Sequence, residues 1–146
     1  LMVEMPVEAA GQRVLALVNQ ARAKPRKCGD RSLKAAPPVR WNDTLALVAR
    51  RHAEDMARHD YFAHAGRDGS TPPRRVERAG YRYRITGENL AAGSTTPEDA
   101  VAGWLKSPRH CANLMNPAFT EMGAAYAIDE GSEMGVYWVQ VFGTPR

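Results

Sequence analysis

The sequence has no apolar stretch close to the roughly 20 residues that a membrane-spanning helix needs. Hydrophobic residues make up 44% of the chain and charged residues 25%, the balance of an ordinary globular protein. The first six residues lack both a basic segment and a long apolar core, so we expect no export signal within this chain. A signal removed from a longer precursor is compatible with that expectation. Internal repeats and low-complexity tracts are also absent, and a length of 146 residues predicts one domain spanning 1–146.

Charge of one sign is in excess, because the chain has 20 lysines and arginines against 16 acids, and a basic protein raises the question of a nucleic-acid partner. The net charge of +4 comes mainly from arginine, and the densest group is Arg74, Arg75 and Arg78. A nucleic-acid surface needs such a basic stripe with exposed aromatic residues between the charges. The nearby acids Asp68 and Glu77 dilute the positive charge. We interpret the arginine group as the solvated face of a helix and expect no nucleic-acid partner.

Cysteine is scarce as well, because the chain contains only Cys28 and Cys111. They do not form a Cys-x-x-Cys pair, and this spacing indicates neither a zinc ribbon nor a redox motif. Two alternatives are left: two free thiols in a reducing compartment, or a disulfide that pins the loop-like segment around Cys28. The disulfide would stabilise the fold by up to about 4–5 kcal/mol by restraining the unfolded chain. We favour the disulfide, and with it an exported protein.

Apolar residues recur with helical spacing in the first part of the chain and predict two amphipathic helices, over 7–24 and 42–59. Asn42 is the expected N-cap of the second helix. His52 lies on the apolar stripe of that helix, where we interpret it as a core histidine bonded to a carbonyl group. Between the two helices, the segment 24–38 contains three prolines and several charges, and it is predicted to be a surface loop.

The second part of the chain mixes short helices with strands. Strands are predicted over 81–92, 122–128 and 134–142, with a hairpin turn at 129–132. Short helical segments are predicted over 74–79, 97–107 and 108–115. No regular alternation of strand and helix appears, so the sheet should be mainly antiparallel with helices packed on it, which is an α+β fold.

The segment Gly87-Glu88-Asn89-Leu90 places an acid near the end of a predicted strand, where the sheet can hold it at a cleft. We expect His64 and His110 to meet this acid. Two imidazoles and a carboxylate can bind a divalent metal, with zinc the natural choice and positions left open for water. The alternative is a buried polar network whose hydrogen bonds fix the cleft. A nucleophile pair of Ser107 and His110 is a further option, although no Gly-x-Ser-x-Gly elbow accompanies it.

A series of motifs occurs in a fixed order along nearly the whole chain. They are Tyr61-Phe62-Ala63-His64, Asp68-Gly69-Ser70-Thr71-Pro72, Ala79-Gly80-Tyr81, Gly87-Glu88-Asn89-Leu90, Trp104-Leu105-Lys106-Ser107-Pro108-Arg109-His110, Asn113-Leu114-Met115-Asn116-Pro117, Thr120-Glu121-Met122-Gly123 and Tyr137-Trp138-Val139-Gln140-Val141-Phe142. Together they resemble the CAP superfamily of cysteine-rich secretory, antigen 5 and pathogenesis-related proteins, and in particular the SCP-like domains of its compact bacterial branch. The resemblance implies a three-layer α-β-α sandwich with a mainly antiparallel central sheet. It also implies a secreted, periplasmic or cell-envelope location and a cleft with two histidines and two acids.

Placed on this sequence, the family's histidines fall on His64 and His110, and the acid of the Gly-Glu-Asn motif falls on Glu88. The family's other acid, where present, would fall on Ser107. That departure leaves a hydroxyl in place of a carboxylate. Glu121 is a substitute acid to consider, although the spacing does not place it in the cleft.

Three function classes follow from this resemblance, and it does not decide whether the protein is an enzyme. Our hypothesis is a secreted or cell-envelope module whose cleft binds zinc or another divalent metal and serves binding or signalling. The alternatives are a metal-assisted hydrolase of a peptide or glycan and a lipid or sterol carrier. We expect a monomer with a small ligand, peptide, glycan or lipid in the cleft. A shared fold does not settle function, so the metal content and chelator-sensitive hydrolysis distinguish these classes.

Overall fold

Helices lie on both faces of a four-stranded sheet in the computed structural model, which describes residues 3–146. The helices are α1 (Val7–Arg22), α2 (Asp43–His59), α3 (Pro72–Arg78), α4 (Pro97–Lys106) and α5 (Pro108–Leu114). The strands are β1 (Arg26–Cys28), β2 (Arg31–Leu33), β3 (Arg40–Trp41), β4 (Tyr83–Ala92), β5 (Glu121–Ile128) and β6 (Val136–Pro145). None of the described helices is long and apolar enough to cross a membrane.

The main sheet has the strand order β3-β5-β6-β4. β6 pairs with β5 on one side and with β4 on the other, both antiparallel, whereas the short β3 pairs with β5 in parallel. The prediction of a mainly antiparallel sheet is therefore confirmed. Strands β1 and β2 form a separate antiparallel hairpin. This order leaves β4 at one edge of the main sheet.

Successive side chains of a strand point to opposite faces, and each face of this sheet is covered by its own helices. On one face, Val139 and Val141 of β6 belong to a buried cluster with residues of α2 and α3. On the other face, Trp138 and Phe142 belong to a cluster with residues of α1, α4 and α5, including Trp104. The three layers confirm the expected α-β-α sandwich.

The position of α2 is fixed by its start and by a close approach to the sheet. The side chain of Asn42 accepts a hydrogen bond from the backbone N–H of Leu45 at 2.9 Å, which confirms the predicted N-cap. One turn later, α2 lies directly on β5 at Gly123. A Cβ atom at Gly123 would be 2.1 Å from the backbone nitrogen of Ala46, so no side chain fits there.

The structure corrects the prediction that 24–38 is only a loop, because this segment contains the β1–β2 hairpin. Its strands consist largely of charged and polar residues, so the apolar alternation that indicates a strand is missing. The two-residue strand β3 is also absent from the prediction, because it is too short to show any period. The last strand extends over Val136–Pro145 rather than 134–142, and the predicted turn at 129–132 is correspondingly a longer loop over 129–135.

Cys28 and Cys111 form a disulfide with a Cα–Cα distance of 5.4 Å and a sequence separation of 83, as predicted. The bond joins the β1–β2 hairpin to α5. The hairpin turn also packs against α5, since a Cβ atom at Gly29 would lie 3.0 Å from the side chain of Pro108. Gly29 has φ of +62°, a conformation that glycine adopts without strain. The hairpin thus anchors the segment that follows Ser107.

Candidate functional site

The predicted site residues gather around the edge strand β4, whose outer side is covered by side chains of α4 and α5. Trp104 Nε1 donates to the carbonyl oxygen of Leu90 at 3.0 Å, and Asn113 Nδ2 donates to that of Glu88 at 3.4 Å. Because neighbouring strand residues point to opposite faces, Glu88 points towards the α2 and α3 layer and Asn89 towards the α5 layer. Adjacent residues of β4 therefore place a carboxylate on one face of the sheet and an amide on the other.

Glu88 binds His64 with one carboxylate oxygen and Arg75 with the other. The distances are 2.7 Å from Oε1 to His64 Nδ1 and 2.9 Å from Oε2 to Arg75 Nη2. The Glu88 side chain is 2% exposed, whereas that of His64 is 53% exposed. A carboxylate paired with a guanidinium only accepts hydrogen bonds, so Nδ1 of His64 is the donor and the neutral ring keeps its lone pair on Nε2. The exposed nitrogen of His64 is thereby the one available to a ligand.

Arg75 is a site residue that the sequence interpretation misses, since it assigns the arginine group to a solvated helix face. Its side chain is only 12% exposed. Nη1 donates to the backbone oxygen of Ser70 at 3.1 Å and to its hydroxyl oxygen at 3.3 Å. A usable signal is its place beside Val76, the one buried residue of α3. Arg75 thus ties the loop after His64 to the carboxylate of Glu88.

His110 is held through its backbone. Asn89 Nδ2 donates to the carbonyl oxygen of His110 at 3.2 Å and to Gln140 Oε1 at 3.1 Å. Asn113 Nδ2 in turn donates to Asn89 Oδ1 at 3.1 Å. Burial lowers the pKa of His110, and the proximity of His64 and Arg109 lowers it further.

The two further candidates, Ser107 and Glu121, occupy other environments. Ser107 links α4 to α5, and its backbone oxygen accepts from the N–H of Cys111 at 2.8 Å. Within residues 3–146, no hydrogen bond joins its hydroxyl to His110. Glu121 accepts a hydrogen bond from the hydroxyl of Tyr81 at 2.6 Å. Its carboxylate is therefore engaged outside the group formed by His64, Glu88 and His110.

His52 behaves as the sequence predicts for a core histidine. It is 2% exposed, and its Nε2 lies 2.8 Å from the carbonyl oxygen of Ala63. Burial is the main reason that the pKa of His52 is lowered. The bond also fixes the backbone immediately before His64, so this core residue helps to place the site histidine.

A metal ion would find few protein ligands here. Across residues 3–146, no group of three or more histidine, cysteine, aspartate or glutamate side chains is arranged to hold a metal ion. Glu88 is already bonded to His64 and Arg75. Glu88 is therefore placed to orient the His64 imidazole rather than to act as a further ligand.

The model of the CAP family, the cysteine-rich secretory protein family, matches residues 15–142 of the chain. The chain belongs to the CAP family. Among curated relatives, this CAP domain is 34% identical over 136 residues to the uncharacterized protein YkwD of Bacillus subtilis, a match that covers 93% of this chain and 48% of the relative. The chain thus spans about half the length of that relative.

Solved structures show the same fold. A Bacillus anthracis extracellular protein containing an SCP domain superposes with a TM-score of 0.79 and 27% identity, covering 97% of this chain and 42% of that one. An outer surface protein from Borrelia burgdorferi has a TM-score of 0.69 and 23% identity, with coverage of 92% and 95%. The second likeness concerns the fold alone. Both of these bacterial neighbours are extracellular or surface proteins.

Proposed function

We propose that this CAP domain is an extracellular or cell-surface binding module that takes a divalent cation, with zinc the expected ion, on His64 and His110. The observation that carries the proposal is the bond from His64 Nδ1 to Glu88 at 2.7 Å. That bond leaves Nε2 as the basic nitrogen on an exposed ring. An imidazole oriented by a carboxylate in this way is a common arrangement for zinc ligands.

Arg75 supports the same arrangement. Its guanidinium pairs with the second oxygen of Glu88 at 2.9 Å, so the carboxylate stays in place behind His64. A cation held by two imidazoles keeps further coordination positions for water or for an oxygen of a bound peptide or glycan. The cleft then serves binding or signalling through a ligand that the cation helps to hold.

The location outside the cytoplasm has two supports. The Cys28–Cys111 disulfide persists in oxidising compartments and is rare in reducing ones. A structural relative with 27% identity is an extracellular protein of Bacillus anthracis. We accordingly place the activity of this domain in a secreted, periplasmic or cell-envelope setting.

Zinc titration calorimetry tests the proposal on the wild type, His64→Ala and His110→Ala, with His59→Ala as the matched control. His59 lies at the end of α2 outside the site. Each site substitution should weaken zinc binding by roughly 10- to 100-fold, while the control keeps the wild-type affinity. Binding should also weaken from neutral pH to about pH 5, because a protonated imidazole cannot ligate.

Glu88→Gln separates orientation from ligation. The amide keeps the size of the side chain but loses the charge, so zinc should bind more weakly than in the wild type and more tightly than in His64→Ala. Equal zinc affinity in the wild type and both histidine variants would overturn the metal proposal. Hydrolysis of a peptide or glycan that stops on addition of a chelator would instead assign the cleft to a metal-assisted hydrolase.

A further inference from the structure

A second recess lies between α2 and α3, beside the loop that carries Arg67. It has a volume of about 530 Å³, and four arginines line it: Arg51, Arg67, Arg75 and Arg78. His64, Glu88 and His110 are not among its lining residues. The recess, which we call the arginine pocket, is therefore separate from the histidine cleft but shares a wall with it at Arg75.

The positive charge of the arginine pocket is not balanced by its acids. Two carboxylates line it, Asp55 and Asp68. Asp68 binds Arg78 at 3.2 Å and the backbone N–H of Ser70 at 2.9 Å. The side chain of Ser70 first, its backbone N–H next and then Arg78 hold the pKa of Asp68 well below the ordinary value. Asp55 accepts from the hydroxyl of Tyr61. Both acids are thus engaged, and neither neutralises the remaining arginines.

Arg51 and Arg67 are exposed at the mouth of the arginine pocket. Within residues 3–146, neither side chain forms an ion pair with an acid. Two guanidinium groups at one recess, each without a counter-charge, leave a local excess of positive charge. Such a recess attracts an anion and offers it two planar donor forks.

Arg75 also contributes to the wall of the arginine pocket. Arg75 uses Nη1 on Ser70 and Nη2 on Glu88, while its buried Nε has no hydrogen-bond partner in the described part of the chain. A buried donor left without a partner costs stability and calls for an explanation such as a bound ligand or water. This Nε is itself shielded from the recess, so Arg75 acts on an anion there through its charge rather than through a free donor.

The segment that carries Arg67 is preformed. The backbone N–H of Gly66 donates to the carbonyl oxygen of Ser70 at 2.8 Å, and that of Gly69 donates to Gly66 at 3.0 Å. A Cβ atom at Gly66 would lie 2.5 Å from the hydroxyl oxygen of Ser70, so the turn closes tightly. Little ordering of the loop is then needed on binding, which favours affinity.

We propose that the arginine pocket binds a phosphoryl group, as inorganic phosphate or a phosphate monoester, between Arg51 and Arg67 with Arg75 in its wall. A phosphoryl group offers three acceptor oxygens and about two negative charges, which match several guanidinium groups lining one recess better than a single carboxylate does. Val48 and Ala79 line the same recess and provide apolar contact for the organic part of an ester.

The test is titration calorimetry with inorganic phosphate and with glycerol phosphate. Each probe replaces chloride, so that the ionic strength stays constant. Arg51→Gln and Arg67→Gln should each weaken binding about tenfold, the effect of losing one charge-assisted hydrogen bond. Arg74→Gln is the matched control, because Arg74 is an exposed residue of α3 that does not line the pocket. It removes the same charge and should leave the affinity unchanged.

The outcomes of this experiment separate the ligand sources. Tighter binding of glycerol phosphate indicates an esterified ligand, and tighter binding of inorganic phosphate indicates the free ion; both support the phosphoryl site. The phosphoryl site would be overturned if neither probe gave binding heat, or if Arg74→Gln lost as much affinity as the pocket variants. It would also be overturned if acetate bound with the same affinity as phosphate. Zinc affinity should be the same in Arg51→Gln as in the wild type, so the result does not depend on the histidine cleft.

Discussion

Glu88 and Asn89 are neighbours on β4, but they place the two site histidines by different means. Glu88 holds the ring of His64 through a bond between side chains at 2.7 Å, and its other oxygen binds Arg75. Asn89 holds the backbone of His110 through a neutral amide network that includes Gln140. The first half of the site is thus fixed by a buried carboxylate that is paired with Arg75, and the second by buried amide hydrogen bonds.

The difference shows that one histidine is oriented and the other is anchored. His64 lies in an exposed loop, so its position depends on the carboxylate that binds it. His110 lies on a short helix that is also covalently joined to the β1–β2 hairpin through the adjacent Cys111. Substitutions in the two halves should therefore change the free energy of unfolding by different amounts. Their effects should also depend differently on salt and pH.

Removing the disulfide should have the largest effect on stability. Replacing Cys28 and Cys111 together with serine should lower the free energy of unfolding by up to about 4–5 kcal/mol, because the bond restrains a long loop of the unfolded chain. The melting temperature should fall by roughly 10–20 °C in scanning calorimetry. Reductant should shift the wild type similarly and leave the double variant unchanged. A loss under about 1 kcal/mol would contradict the view that the bond anchors α5.

Asn89→Ala should be the next most damaging change. It removes the donor to the buried amide oxygen of Gln140 and one of the two acceptors of Asn113, which we expect to cost about 2–4 kcal/mol in the free energy of unfolding by urea. Arg84→Ala is the control, because Arg84 is an exposed residue of the same strand. The loss should be insensitive to salt, since neutral buried bonds are not screened. If both variants unfolded at the same urea concentration, the network would not be the anchor of His110.

The pH dependence of stability should give the smallest effect and report on the buried surroundings of His110. Its pKa in the folded protein is lowered by burial, then by His64 and Arg109. As pH falls below the ordinary value of about 6.5, the unfolded chain binds a proton that the folded one resists, so the free energy of unfolding decreases until the lowered folded pKa is passed. Above that ordinary value, the full contribution of His110 to the free energy of unfolding is present.

Urea unfolding of His110→Asn between neutral pH and about pH 5 measures that contribution. The decrease with falling pH should be smaller in this variant than in the wild type, and part of it should persist because the pKa of His52 is also lowered, mainly by burial. His59→Asn is the control outside the site, at the end of α2, and it should behave as the wild type does. An unchanged slope in His110→Asn would place His110 in a solvated surrounding.

The elements with strong local signals can be predicted from the sequence. Helix α2 has an apolar stripe, an N-cap at Asn42 and a defined end at His59, and the sequence predicts it at these limits. Two cysteines allow only one intramolecular pairing, so the disulfide follows once a bond is assumed to form. The bond of Glu88 to His64 agrees with the expectation that the motif acid and one histidine meet.

Other features depend on contacts between distant segments and leave little trace in the sequence. The two-residue β3 forms by pairing with β5, which lies about 80 residues away along the chain. The local sequence at β3 gives no strand signal of its own. Arg75 looks like any charged residue of a short helix. Its role comes from Ser70 and Glu88, which close around it only in the folded protein.

The covering of β4 has a consequence for how molecules of this protein meet one another. An exposed edge strand is a template on which a second chain can add its own strand, which is the first step in aggregation and in the formation of fibrils. In this fold Trp104 and Asn113 occupy two of the outward carbonyl oxygens of that edge, and the opposite edge is formed by the two residues of β3. The helices that frame the histidine cleft thereby also prevent a neighbouring molecule from adding a strand to this sheet. A concentrated solution should therefore stay free of intermolecular β-structure.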